Sequence, residues 1–208
     1  MKKAPETLVV KVDPVNPDAD VIAYGAKIIR DGGIVAFPTE TVYGLAVNLS
    51  NKRAVERLYL VKKRSRGKPF TVHIAGTGLI REMDCRITAK AARLIKRFWP
   101  GALTIILSAK DGKKIGFRMP ANRVARDLIA SSGVPVIAPS ANLSGRRPPT
   151  NAKDVLRDLD GKIDMIIDSG HTEIRIESTV IDLTTQPPAI LREGAISSKR
   201  LKKALKPK

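Results

Sequence analysis

The chain has a single cysteine, Cys85, in 208 residues. One thiol cannot form an intramolecular disulfide or a cysteine-based metal site. It has two histidines, His73 and His171, with no metal-ligand spacing and no thiol partner, so a zinc centre lacks support. Long apolar runs are missing as well. The cleanest, such as Ala102 to Leu107, are strand-sized, which excludes a transmembrane helix and membrane partners. The start, Met1-Lys2-Lys3-Ala4-Pro5-Glu6, leads into a strand-like run with no signal-peptide core, so a cytoplasmic protein is expected. The common nucleotide and hydrolase loops are absent. There is no G-x-x-x-x-G-K-[ST], no G-x-G-x-x-G between a strand and a helix, and no G-x-S-x-G.

Acid is also in short supply. Thirty-eight Lys and Arg face twenty Asp and Glu, leaving a net charge of +18 and a pI near 10.3. Such a field attracts polyanions: RNA, nucleotides or anionic headgroups. The charge is concentrated. Residues 52–68 hold eight bases and one acid, and residues 199–208 hold six bases and no acid, so 27 residues carry +13. The second run, with Leu201, Ala204 and Leu205 between its lysines, reads as a short amphipathic helix or a frayed, solvated tail, with a polyanion contact as the other reading.

What is present describes an ordinary globular chain. Hydrophobic residues are 43% and charged residues 28%, and the length suits one domain over residues 1–208. Helical spacing recurs at Val21–Ile29, Ala54–Tyr59, Ala91–Phe98, Val124–Ile129 and Ala152–Leu156, the last capped by Asn151. Strand-like runs lie at Leu8–Val12, Ile34–Phe37, Phe70–Ile74, Leu103–Leu107, Val136–Ala138, Met165–Ile167, Thr179–Leu183 and Ala189–Leu191. Helices and strands mix throughout, which makes an α/β domain. Several strand pairs lack room for a helical crossover, so the sheet is expected to be mixed, parallel and antiparallel.

Four segments could carry chemistry. Phe37-Pro38-Thr39-Glu40-Thr41-Val42-Tyr43-Gly44-Leu45 is a strand ending in a hydroxyl-rich turn, and ligands of open α/β sheets gather at strand ends. Lys62-Lys63-Arg64-Ser65-Arg66-Gly67-Lys68-Pro69 sets a planar guanidinium and mobile ammonium groups where a helix ends, a combination suited to phosphate oxygens. Pro139-Ser140-Ala141-Asn142-Leu143-Ser144-Gly145 follows a buried strand and offers Ser and Asn at alternate positions, with small residues that permit close backbone approach. Glu177-Ser178-Thr179 enters another strand, and Arg192 ends the strand after it. Taken singly, each is also compatible with an ordinary turn, cap or solvated helix end.

In this order the segments resemble the YrdC-like family, the threonylcarbamoyl-AMP synthases. The matching stretches are FPTETVYGL, the K-x-R of Lys62 and Arg64 followed by KPFTVHIA, WPGALTIIL, FRMP, GVPVIAPSANLSG, IESTVIDL and ILREG, from about residue 21 to 195. The resemblance implies a twisted mixed open sheet flanked by helices around a large basic cavity, in the short, single-domain form. It implies a nucleotidyltransferase that converts L-threonine, bicarbonate and ATP into threonylcarbamoyl-adenylate and pyrophosphate. A downstream tRNA threonylcarbamoyl-transferase complex then uses the product to make threonylcarbamoyladenosine.

Carried over by motif, the ATP-binding positions are Lys62, Arg64, Lys68, Ser140, Asn142 and Arg192, with Lys62 and Arg64 as the electrostatic catalysts. The L-threonine positions are Thr41, His73, Arg118 and Ser178. No protein metal cage is implied; Mg²⁺ is expected to ride on ATP. The chain departs from the family pattern at Ser65, where many members have proline, at Arg175-Ile176, where many have a glycine before V-E-S-T, and in the short basic stretch Lys113–Gly116. A different class is also consistent with the charge: a double-stranded RNA, tRNA or ribosome-binding protein of the same fold without synthase activity. Related domains that make carbamoyl-adenylate for hydrogenase maturation sit in larger chains with acylphosphatase and zinc-finger segments not seen here.

Overall fold

The computed structural model describes residues 6–206. The reading of the first five residues as free of a leader, and the last two residues of the basic tail, lie outside the described residues. Ten strands form one sheet: β1 Leu8–Lys11, β2 Val35–Phe37, β3 Gly44–Asn48, β4 Val72–His73, β5 Leu103–Ser108, β6 Lys114–Arg118, β7 Val136–Ile137, β8 Met165–Asp168, β9 Thr179–Asp182 and β10 Ala189–Arg192. Their spatial order is β1-β8-β2-β3-β7-β4-β6-β5-β9-β10. The seven helices among the described residues are α1 Ala19–Arg30, α2 Lys52–Lys62, α3 Gly78–Glu82, α4 Ala89–Phe98, α5 Arg123–Ser132, α6 Ala152–Leu159 and α7 Ser198–Leu205.

The sheet is mixed, as the connection lengths required. β1–β8, β2–β8, β4–β6 and β5–β9 pair in parallel, and the other neighbours are antiparallel. The central strands are buried on both faces, and their side chains alternate between two cores. Along β2 and β8, Val35, Phe37, Met165 and Ile167 join the core under α1 and α5, while Ala36 and Ile166 point the other way. That second, larger core holds Leu58 of α2, Leu94 of α4 and Val155 of α6. None of the helices is long and apolar enough to cross a membrane.

The helices begin where capping chemistry puts them. The side chains of Asp18, Asn51, Thr88, Asn122, Asn151 and Ser197 each accept a backbone N–H of the following first turn. At the other end of α2, Lys63 adopts a left-handed conformation with φ 49°. Its N–H closes the last turn of α2 and turns the chain toward Arg64.

Three strands depart from the sequence reading, and the structure decides between the two readings of the tail. Gly44–Asn48 is a strand, not part of a turn; its five residues are all buried, so no polar alternation marks it. Lys114–Arg118 is also a strand, concealed by its lysine and glycine and paired along β5. Phe70–Ile74 narrows to two strand residues, with Thr71 reaching β7 only through its carbonyl, which accepts the Ala138 N–H. Over its described length the basic tail takes the amphipathic-helix form the sequence offered, not the frayed, solvated one. As α7 it docks on α4, burying Leu201 completely and Ala204 nearly so. Burying a leucine contributes about 2 kcal/mol, enough to fix a helix this short.

Candidate active site

The loop from Pro139 to Gly145 leaves β7 and is fixed from several sides. Leu45 donates to the Pro139 carbonyl and Ala141 donates to the Tyr43 carbonyl, both at 2.8 Å, tying the loop to β3. Ser140 Oγ donates to Asn142 Oδ1 at 2.6 Å, and Asn142 Nδ2 donates to the Arg146 carbonyl. Gly145, at φ 87°, supplies the left-handed turn that a side chain would strain. On the outer side, Asp158 of α6 accepts Leu143 N–H at 3.2 Å and Arg146 NH1 at 2.6 Å. Burial by itself would raise the Asp158 carboxyl, but these two donors, with the charge of Arg157, hold it below the usual carboxylate range.

Lys62, the last residue of α2, runs beneath this loop. Its Nζ donates to the carbonyls of Ser140 and Asn142, the latter at 2.7 Å, and approaches Asn142 Oδ1 at 3.4 Å. Its carbonyl accepts Ser144 N–H at 2.9 Å. The residue is only 2% exposed. Burial first, then the neighbouring Arg64 charge, lowers the ammonium from 10.5 to about 8. Lys62 therefore holds the loop from within, with its three N–H directions taken up by loop oxygens. Arg64 stands above it, half-buried. Its Nε and NH2 donate to the Lys68 and Pro69 carbonyls, and its guanidinium lies 5.1 Å from the Phe70 ring centre, which leaves one edge facing outward.

Two cavities meet here. The larger, about 400 Å³, is bounded by Lys62, Lys63, Arg64, Lys68 and Arg146, with Ser140, Asn142 and Ser144 on the loop side; Glu177 is its one acid. The smaller, about 140 Å³, lies against His73, Thr104, Arg118, Ser178 and Arg192. Arg64, Ser140 and Glu177 border both. The large basic cavity expected from the sequence is thus two joined compartments of different size and polarity.

The small compartment is built on sheet register. His73 and Arg118 are parallel partners on β4 and β6, and Thr104 of β5 adjoins Arg118 through the Ile105–Phe117 pairing. Arg118 is buried with Glu40 at 2.7 Å, and it also donates to Thr41 Oγ1 at 2.7 Å. Glu40 accepts Ala121 N–H through its second oxygen at 3.0 Å. A buried ion pair endures when such extra hydrogen bonds satisfy its atoms. Ser178 Oγ lies 3.0 Å from Thr104 Oγ1, while Arg192 donates to the Ser178 carbonyl and hydroxyl and pairs with Glu177.

Two residues of this compartment each hold a buried atom without a partner. Only four buried side-chain polar atoms among the described residues make no hydrogen bond, and two of them are His73 Nδ1 and Arg118 Nε. Burial, reinforced by the Arg118 charge and opposed by a backbone contact to Thr71, drives His73 from 6.5 to about 3, so its imidazole is neutral at physiological pH. Unpaired buried polar atoms cost about 1–3 kcal/mol each.

The placement of each expected residue can now be stated. Lys62, Arg64, Lys68, Ser140 and Asn142 surround the large compartment. Arg192, expected with ATP, lies instead on the wall of the small one. His73, Arg118 and Ser178 line the small compartment, and fully buried Thr41 reaches it through Arg118. Glu40, Thr104, Arg146 and Asp158 were not anticipated. Glu40 and Thr104 sit inside matched motifs, whereas Arg146 and Asp158 are brought in only by the packing of α6. No group of three or more His, Cys, Asp or Glu that could hold a metal ion occurs among the described residues.

A family model for Sua5, YciO and YrdC proteins, described as telomere recombination, matches residues 27–194. The chain is 41% identical over 205 residues to the threonylcarbamoyl-AMP synthase of Bacillus subtilis, an alignment covering 94% of this chain and 59% of that protein. Among solved structures, P. abyssi Sua5 complexed with L-threonine superposes with a TM-score of 0.91 at 40% identity, over 95% of this chain and 61% of that one. Escherichia coli YciO superposes with a TM-score of 0.85 at 28% identity, over 94% and 99%. The chain thus spans about three fifths of the length of the synthase and of Sua5. Both the matched residues and the superposed sheet lead to one conclusion: this chain belongs to the Sua5/YciO/YrdC family.

Proposed function

We propose that the chain is a threonylcarbamoyl-AMP synthase, converting L-threonine, bicarbonate and ATP into threonylcarbamoyl-adenylate and pyrophosphate. The observation that carries this reading is the adjacency of a small pocket lined by His73, Thr104, Arg118 and Ser178 to a larger pocket with five basic residues. The likeness to synthases and to a threonine-bound Sua5 supports the same assignment.

In this reading threonine occupies the small compartment. Arg118 faces its α-carboxylate, His73 offers a neutral imidazole, and the Thr104–Ser178 hydroxyl pair meets the side-chain hydroxyl. A site built to hydrogen-bond a hydroxyl rejects analogues without one, because its own polar atoms are then left unpaired. The threonine amine attacks the carbon of bicarbonate, forming a C–N bond and releasing water. A carbamate oxygen then attacks the α-phosphorus of ATP, and the bond to pyrophosphate breaks.

Neither step requires a protein nucleophile. Both depend on alignment across the shared border at Arg64, Ser140 and Glu177, and on cations where charge develops. Arg64, Lys68 and Lys63 supply that charge. Lys62 acts from beneath by holding Ser140 and Asn142 in place. Mg²⁺ arriving with ATP would neutralise phosphate charge. A tRNA-modifying transferase complex in the cytoplasm is the proposed consumer of the product, since a mixed carbamic–phosphoric anhydride is a group donor.

The test is pyrophosphate release from ATP with Mg²⁺, with the adenylate identified by mass. Release that needs both threonine and bicarbonate, with a threonylcarbamoyl-AMP mass, supports the proposal. No release from folded protein overturns it.

A further inference from the structure

We propose, on the synthase reading, that Glu177 receives the α-ammonium of the amino-acid substrate and accepts its proton. With the substrate carboxylate at Arg118 and its hydroxyl at Thr104 and Ser178, the ammonium is the group still without a partner.

Charge selects the residue. Seven Lys and Arg side chains line the two cavities, and Glu177 is the one acid that lines either. An ammonium group set among those cations is repelled unless a carboxylate meets it. The carboxylates nearby are already engaged. Glu40 is 3% exposed, with one oxygen on Arg118 and the other on Ala121 N–H. Asp158 has one oxygen on Arg146 and the other on Leu143 N–H. Neither lines these cavities. The Glu177 side chain, by contrast, is partly exposed. Its Oε1 accepts Arg192 NH1 at 2.5 Å, and its Oε2 has no hydrogen-bond donor among the described residues.

The carboxylate is also aimed. Arg192 donates to the carbonyl and hydroxyl of Ser178 as well as to Glu177, so one guanidinium fixes two adjacent residues. The Glu177 carbonyl accepts Ala195 N–H at 2.9 Å, and Gly194 packs against that carbonyl too closely to leave room for a Cβ. Ser178 Oγ in turn lies 3.0 Å from Thr104 Oγ1. The carboxylate is thus held beside the hydroxyl pair, on the border that the small compartment shares with the large one.

The chemistry needs such a group. An ammonium has no lone pair and cannot attack the carbon of bicarbonate. Transfer of one proton to the Glu177 carboxylate frees the pair. The amine nitrogen then forms the C–N bond, a second nitrogen proton passes to the bicarbonate hydroxyl, and that oxygen leaves as water. The carbamate keeps one N–H, and Glu177 returns its proton to solvent. A positioned base of this kind contributes about a hundredfold or more to the rate.

Two readouts on the full-length protein test the proposal. The first is calorimetric binding, without ATP, of L-threonine and of its α-hydroxy analogue, in which a hydroxyl replaces the ammonium. Wild type is expected to prefer threonine by about tenfold or more. Glu177→Gln is expected to lose that preference while holding the hydroxy acid as wild type does, which also shows that the variant is folded. Glu177→Asp keeps the charge and is expected to keep the preference. The second readout is pyrophosphate release at saturating threonine, bicarbonate and ATP, where Glu177→Gln is expected to lower kcat about a hundredfold. An unchanged preference in the glutamine variant overturns the ammonium contact, as does a folded aspartate variant with no preference. An unchanged kcat overturns the proton transfer. Wild type that releases no pyrophosphate overturns the synthase reading instead, and the binding preference then decides the ammonium contact by itself.

Discussion

Lys62 Nζ and Asn142 are hydrogen-bonded at 2.7 Å through the asparagine carbonyl, across 80 residues of sequence. The contact makes the end of α2 and the loop after β7 one unit. A lysine that looks in the sequence like a phosphate ligand is in the fold an anchor of the loop that borders the large cavity. Lys62→Met keeps the apolar stem and removes the ammonium, leaving the Ser140 and Asn142 carbonyls unpaired. It is expected to cost about 2–3 kcal/mol in urea unfolding and to raise the KM for ATP more than it lowers kcat. Because burial lowers Lys62 to about 8, the wild-type KM for ATP is expected to rise as pH passes 8, whereas that of the methionine variant stays flat.

Arg64 presents the opposite case. Its Nε and NH2 bond backbone carbonyls of its own loop, and it is bordered by both cavities. Arg64→Ala is expected to slow adenylate formation about a hundredfold or more while changing unfolding free energy by less than about 1 kcal/mol. Pyrophosphate release and urea denaturation on the same sample measure the two effects. Wild-type turnover in the variant would remove Arg64 from the mechanism.

Acid stability tests the environment of His73. The folded histidine titrates near 3 and the unfolded one near 6.5, so below pH 6.5 the unfolded chain takes up a proton that the native protein refuses. Stability from this group is complete above pH 6.5 and falls as pH drops toward 3, by about 2 kcal/mol between pH 6.5 and 4.5. The difference in unfolding free energy between wild type and His73→Gln should change with pH by that amount over this window. Parallel curves would mean that His73 is not held neutral by burial.

Removal of Glu40 tests the aim of Arg118. In Glu40→Gln the amide still accepts a hydrogen bond, but the buried guanidinium loses its counter-charge. The KM for threonine should rise about tenfold, and stability should fall by about 3 kcal/mol. An unchanged KM would show that Arg118 finds its position from β6 alone.

The docked tail leads to a further expectation. Leu201 of α7 is fully buried, so Leu201→Ala should cost about 2–4 kcal/mol by thermal or urea unfolding. Removal of residues 199–208 should therefore lower stability and turnover together, unlike the loss of a solvated tail.

Much of the architecture was legible because its causes are local. The capping residue Asn151, apolar spacing in α1 and α5, and connections too short for crossovers determined helices and a mixed sheet. The basic loop, the Ser140–Asn142 pair and Glu177-Ser178-Thr179 could be read as candidate ligand segments only through their ordered combination, since each alone is compatible with a turn, a cap or a solvated helix end. Strands β3 and β6 could not be read, because full burial erases alternation in the first and glycine and lysine interrupt it in the second. Distance along the chain hid the rest. Only packing pairs Glu40 with Arg118, sets Asp158 under Arg146, turns Lys62 inward and divides one basic hollow into two compartments. Sequence determined which side chains were available for the chemistry, and the tertiary structure decided which of them border a cavity and which hold the others in place. That division arises because desolvation and hydrogen-bond satisfaction act between residues that are neighbours only in space.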